Sequence, residues 1–134
     1  MVSQKGQIST ELVILLTALL IVALIILNIA NTHRQELYYS HVNLEARQIA
    51  ESLSFEINQV ILSGEGANSS LYLPDLISGQ WNYTLRTIPG NNLLEINWLN
   101  HRYTKPLLTS NVSSYTFSAG LVSISYRNKR VYFT

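Results

Sequence analysis

The chain contains no cysteine, which excludes a disulfide framework, a zinc-thiolate centre and a thiol nucleophile. Charge is also scarce: 13% of the residues are Asp, Glu, Lys or Arg, about half the ~25% of an ordinary soluble domain. A formal net charge of +1 gives the chain as a whole no field strong enough to hold polyanions, so nucleic acid is not expected as a main partner. Proline is rare and none precedes Pro74, leaving the first half of the chain free to form uninterrupted helix. No phosphate-binding loop, GxSxG elbow, HExxH pair or calcium loop occurs. His33, His41 and His101 lack a tight ligand spacing, and nothing brings Asp75 and Glu95 together as an acid-base pair. The expectation is a protein with no catalytic site, no cofactor and no metal centre. With 134 residues, one folded domain is the ceiling.

What is abundant is apolar sequence, concentrated at one end. Leu12 to Leu27 reads LVILLTALLIVALIIL, interrupted only by Thr17, and no charged residue lies between Glu11 and Arg34. At ~1.5 Å per residue the stretch Leu12–Thr32 makes roughly 31 Å of helix, matching a ~30 Å hydrocarbon core. The run is longer than the ~7–15 residues of a secretory signal, and Asn28-Ile29-Ala30 is a poor small-residue cleavage site. A segment apolar on every side must stay in lipid or be surrounded by similar helices.

The residues ahead of this run, Lys5-Gly6-Gln7-Ile8-Ser9-Thr10-Glu11-Leu12, resemble the class III signal sequence of archaeal type IV pilins. The likeness covers about the first 27 residues. It implies that a membrane-embedded aspartyl prepilin peptidase cuts between Gly6 and Gln7, removing Met1–Gly6. Gln7 then becomes the N-terminus and Glu11 the fifth mature residue. It further implies insertion in the cytoplasmic membrane as a precursor, contact with membrane lipid, a pilus assembly platform, and export into a homo-oligomeric extracellular filament. The residue types also have physical reasons of their own. Gly6, lacking a Cβ, lets a protease approach the backbone closely. Ser9 and Thr10 can cap a helical start, and Glu11 suits its positive end. In a filament core the Glu11 carboxylate would need a counter-charge, and the free amino group of a neighbouring Gln7 supplies one.

Beyond Asn31 an apolar stripe continues at helical spacing through Tyr38, Val42, Ala46, Ile49, Leu53, Ile57 and Val60. Arg34, Glu36, Glu45, Arg47, Glu51, Ser54 and Gln59 are expected on the opposite side. Ser63-Gly64 reads as the helix end, so one helix is expected from about Ser9 to Leu62. From Gly66 the period becomes two. Trp81–Ile88 and Leu93–Trp98 flank a turn at Pro89-Gly90-Asn91-Asn92. Arg102–Leu107, Tyr115–Ser118, Leu121–Tyr126 and Arg130–Thr134 follow, the last two joined through Asn128-Lys129. The expected class is α+β: a long N-terminal helix packed on a small antiparallel head of four to six strands. The organisation is a leader (1–6), a hydrophobic membrane and core helix (7–30), an amphipathic stem (31–65) and a β-rich head (66–134).

Residues 31–65 hold two basic and five acidic side chains and residues 66–134 six and two, so stem and head of adjacent subunits could attract. Arg127, Lys129 and Arg130 form a basic turn. Sequons place candidate N-glycosylation at Asn68, Asn82 and Asn111, all in the head. The expectation is a structural filament subunit serving adhesion or surface attachment. Two alternatives stay open: a single-pass anchored binding module that does not polymerise, and a minor pilin or pseudopilin of a secretion or archaellum-like system.

Overall fold

The computed structural model describes residues 4–109 and 111–134, with side-chain positions from Ser9 onward. Met1–Ser3 of the expected leader lie outside the described residues. Helix α1 spans Gln4–Ser63, and the strands are β1 (Asn68–Leu73), β2 (Tyr83–Ile88), β3 (Leu93–Trp98), β4 (His101–Pro106), β5 (Thr116–Phe117), β6 (Gly120–Arg127) and β7 (Arg130–Phe133). The α+β class is thus as expected. The chain divides into two compact units, one ending at Ser40 and the other His41–Thr134. The second unit takes the last six or so turns of α1 with all the strands, so the upper part of the expected stem packs with the head.

α1 starts earlier than expected, at Gln4. Ser9 and Thr10 therefore sit in the helix interior and are not its caps. Nothing between Gln4 and the apolar run breaks a helix except the glycine penalty of about 1 kcal/mol, which a long cooperative segment absorbs. The helix stops at Gly64, whose φ of 89° is a conformation that Gly adopts without a Cβ clash. The Gly64 amide closes the last turn on the Ile61 carbonyl at 3.2 Å.

Seven strands in two sheets replace the four to six of the sequence reading. The three-stranded sheet has order β1-β6-β7 and the four-stranded one β4-β3-β2-β5, all pairs antiparallel. β1 was missed because its sequence, NSSLYL, begins with turn-favouring polar residues. β5 has two residues and exists through pairing Leu85↔Phe117 and Arg86↔Thr116. The hairpins β3-β4 and β6-β7 turn on two residues each. Leu99 and Asn100 have φ of 47° and 63°, Asn128 and Lys129 have 52° and 58°, the positive values a two-residue turn of right-twisted strands needs.

The core forms where α1 meets both sheets. Val42, Ala46, Ile49, Ala50, Leu53, Ile57 and Val60 are buried against Leu85, Leu94, Ile96 and Trp98 of one sheet and Leu73, Val122, Ile124, Val131 and Phe133 of the other. The apolar stripe read from the sequence is therefore the buried face, with Tyr38 outside the core. Ser54, expected on the polar side, is buried (1% exposed), its hydroxyl 3.5 Å from the Pro106 carbonyl. The two sheets are tied by rings: Phe117 of β5 lies 4.9 Å from Phe133 of β7, and Tyr115 touches both at 5.0 and 5.5 Å. Buried Thr87 joins the same seam, its hydroxyl donating to the Ser113 carbonyl at 2.7 Å and accepting from the Tyr115 amide at 2.9 Å.

Candidate functional site

The first unit is an apolar helical surface with no cover. Every Leu, Ile and Val from Leu12 to Leu27 is more than half exposed, from 52% at Ile21 to 64% at Ile14. The helix is long and apolar enough to cross a membrane, and none of that apolar window is buried within the chain. Its polar interruption is internally satisfied: the Thr17 hydroxyl donates to the Val13 carbonyl at 2.8 Å, and Thr32 repeats this towards Asn28 at 3.1 Å. Back-bonding of this kind removes the cost of a hydroxyl in lipid or among packed helices. An apolar cylinder of this length has two stable fates in a cell, hydrocarbon or a bundle of like helices.

At the head of the cylinder stands Glu11, exposed and helical. Gly6 and Gln7 lie in the first turns of the same helix, and their side chains are outside the described residues. Gln7 and Glu11 are four residues apart, one turn along α1, so the expected cleavage and assembly residues fall on one short stretch.

The candidate glycosylation residues are scattered. Asn68 opens β1, Asn82 precedes β2, and Asn111 lies between β4 and β5; all are exposed. Asn111 differs from the others in that its amide nitrogen already donates to the Lys129 carbonyl at 2.8 Å, and its main-chain carbonyl accepts from Val131 at 3.1 Å. A glycan there would replace one of the two Nδ2 hydrogens and leave a single N–H to make the first of these bonds.

Among the described residues no group of three metal-ligating side chains occurs. Glu95 and Asp75 are not paired. Glu95 is buried (1% exposed) on the sheet face turned away from α1. There its Oε1 accepts from Arg86 Nε at 2.8 Å, Arg86 Nη2 at 2.6 Å and Asn97 Nδ2 at 2.8 Å, while Arg102 Nε reaches Oε2 at 3.2 Å. The Asn97 amide, followed by the two arginines, holds the Glu95 carboxyl below its ordinary value against the opposing effect of burial. Saturated by four donors, this carboxylate is built to stay ionised and fix three strands, not to exchange protons. Asp75 instead adds to the burial that pushes the Tyr83 phenol up to about 12, the phenol donating to the Pro74 carbonyl at 2.6 Å.

The acidic stem is used within the chain. Glu45 accepts from the Ser78 amide at 2.9 Å and from its hydroxyl, Glu56 accepts from the Ser69 hydroxyl, and Glu51 accepts from Tyr103 at 3.0 Å with Lys105 at 3.7 Å. Glu65, just past the helix, takes the main-chain amides of Asn128 and Lys129 at 2.9 and 2.8 Å. Most of these stem carboxylates accept from neutral head donors, and Glu51 with Lys105 is the pair in which stem and head charges meet within the chain.

No protein-family model, curated protein or solved structure matches this chain.

Sequence reasoning missed the Glu95 cluster, whose signal was cross-strand and so invisible before the register. It also missed Leu44, Phe55 and Leu62, which are 56%, 63% and 77% exposed on α1. Spaced eleven and seven apart, they recur on one line of the helix at ~100° per residue, opposite the buried face. A helical wheel would have found them.

Proposed function

We propose that this chain is a structural subunit of an extracellular archaeal type IV pilus-like filament. In this reading Met1–Gly6 is removed by a prepilin peptidase, and the apolar part of α1 leaves the membrane to form the filament core with other copies. The observation that supports it most is the apolar cylinder Leu12–Leu27, exposed on every side, on a chain whose folded body is complete without it. The reading uses Gly6 twice. A peptidase needs extended backbone at the cut, and a glycine inside α1 makes opening that turn about 1 kcal/mol easier than an alanine would. Copies related by a rotation and a rise that do not close give an open helical filament, with the head outside and the sequons Asn68 and Asn82 on exposed surface. Adhesion or surface attachment then falls to the head.

The test is the mass and N-terminal residue of the protein recovered from sheared extracellular material and from membranes. A sheared species beginning at Gln7 is expected, with Gly6→Leu blocking processing and Glu11→Ala blocking assembly after normal processing. An intact chain confined to membranes would replace the filament by a single-pass anchored module, for which the helix from Gln4 and Lys5 onward would serve as the anchor.

A further inference from the structure

We infer that the outward face of the β1-β6-β7 sheet is a binding surface for an anionic, uronic-acid-type polysaccharide. Residues paired across strands share a face, and the register places four rows on this one. Arg127 is opposite Arg130. The next row is Asn68, Ser125 and Tyr132. Ser70 and Ser123 pair, with Thr134 beside them through two main-chain bonds to Ser123 at 2.8 and 3.0 Å. Tyr72 opposite Leu121 closes the series, 65% and 69% exposed. Cations, then hydroxyls and amides, then an aromatic-aliphatic pair follow one another along ~5 Å-spaced strands. A shallow depression runs over the middle of this face, lined by Asn68, Ser70, Ser123, Ser125, Arg127 and Thr134.

Two features of the cationic end cost stability and are not compensated within the chain. Like charges directly opposite each other destabilise a strand pair, and here two arginines are opposed at the last rung of β6-β7. Lys129 sits between them at φ 58°, a strained position for a residue other than Gly or Asn. Among the described residues no carboxylate pairs with Arg127, Lys129 or Arg130, and Glu65 nearby spends both oxygens on the turn's amides. Arg130 instead lies 5.9 Å over the Tyr132 ring, leaving its guanidinium edge free for a carboxylate. Forked donors suit carboxylates and phosphates alike, and it is the adjoining hydroxyls and aromatic ring that suit a sugar, which presents hydroxyl edges and apolar ring faces. A bare polyanion would use only the first row.

The experiment uses the full chain in detergent, produced without N-glycosylation so that Asn68 carries no sugar, with polygalacturonate as probe and neutral dextran and inorganic polyphosphate as competitors. Salt-sensitive retention on polygalacturonate is expected, with no displacement by dextran and only weak displacement by polyphosphate. Arg127→Gln with Arg130→Gln should weaken binding about tenfold or more and flatten its salt dependence. Tyr132→Ala should weaken it with the salt dependence unchanged. Arg130→Gln alone should raise the melting temperature while lowering binding, because it relieves the opposed charges, and this rise shows that lost binding is not unfolding. Unchanged binding in the double arginine variant, or equal displacement by polyphosphate together with an inert Tyr132→Ala, overturns the inference.

Discussion

Glu95 is the residue at which charge and fold are most tightly coupled. Its carboxylate is covered by Arg86 and Arg102 and held by Asn97, so removing the charge leaves two guanidinium groups facing one another. Loss of one partner in a fully buried pair costs ~3–5 kcal/mol. Both arginines here reach solvent, and Glu95→Gln should cost about 2 kcal/mol, read from denaturant midpoints. The pH dependence follows from the direction of its shift. A carboxyl held below its ordinary 4.5 binds fewer protons folded than unfolded, so its stabilisation is complete above that value and is lost as pH falls through the lower folded one. Melting temperatures of the native chain should drop below about pH 4, and the drop should shrink in Glu95→Gln. None of this was legible in the sequence, where Glu95 is one acidic residue in a strand. Its partners are nine residues before and two and seven after, and they converge only when three strands align.

At the scale of elements, the helix was legible and the sheet partition was not. Val42, Ala46, Ile49, Leu53, Ile57 and Val60 keep one period for five turns or so, and each is buried, because a helix reports its buried face locally. The start of α1 misled for the opposite reason: Ser9-Thr10-Glu11 has the composition of a cap, yet a long helix propagates through such residues once formed. Strand alternation located β2, β3, β4, β5, β6 and β7 to within a residue or two, but alternation carries no information on which edge pairs with which. The seam of Tyr115, Phe117 and Phe133 that separates and joins two sheets is a property of register. The end of α1 is a clear local signal and gives a clean test. An added Cβ at Gly64 would meet nothing within 4 Å, so Gly64→Ala changes backbone strain alone. At φ 89° that strain should lower stability by ~1 kcal/mol, without altering the ring packing reported by near-ultraviolet circular dichroism.

At the scale of the whole molecule, the body His41–Thr134 carries a second apolar line that its own core does not use. Leu44 and Leu62 are eighteen residues apart, five turns of 3.6, and Phe55 falls on the same line. A period that closes on whole turns runs straight along the helix axis and imposes no supercoil. In the sequence the same spacing runs back to Leu37 and, from Phe55, to Leu37 again by eighteen, towards the apolar run that the proposed filament buries. A subunit working alone would gain nothing from such a line, whereas helices bundled side by side in a filament would bury it. Phe55→Asp with Leu62→Ser should therefore leave the melting temperature of the monomeric chain within about the ±0.5 kcal/mol typical of surface changes. Processing at Gly6 should be normal, while the fraction sedimenting as filaments falls. Glu11→Ala separates the two ends of the helix, since it should block assembly with the stem line intact. Normal sedimentation of the Phe55 and Leu62 double variant would confine assembly to the apolar cylinder and leave the stem line without a role in it.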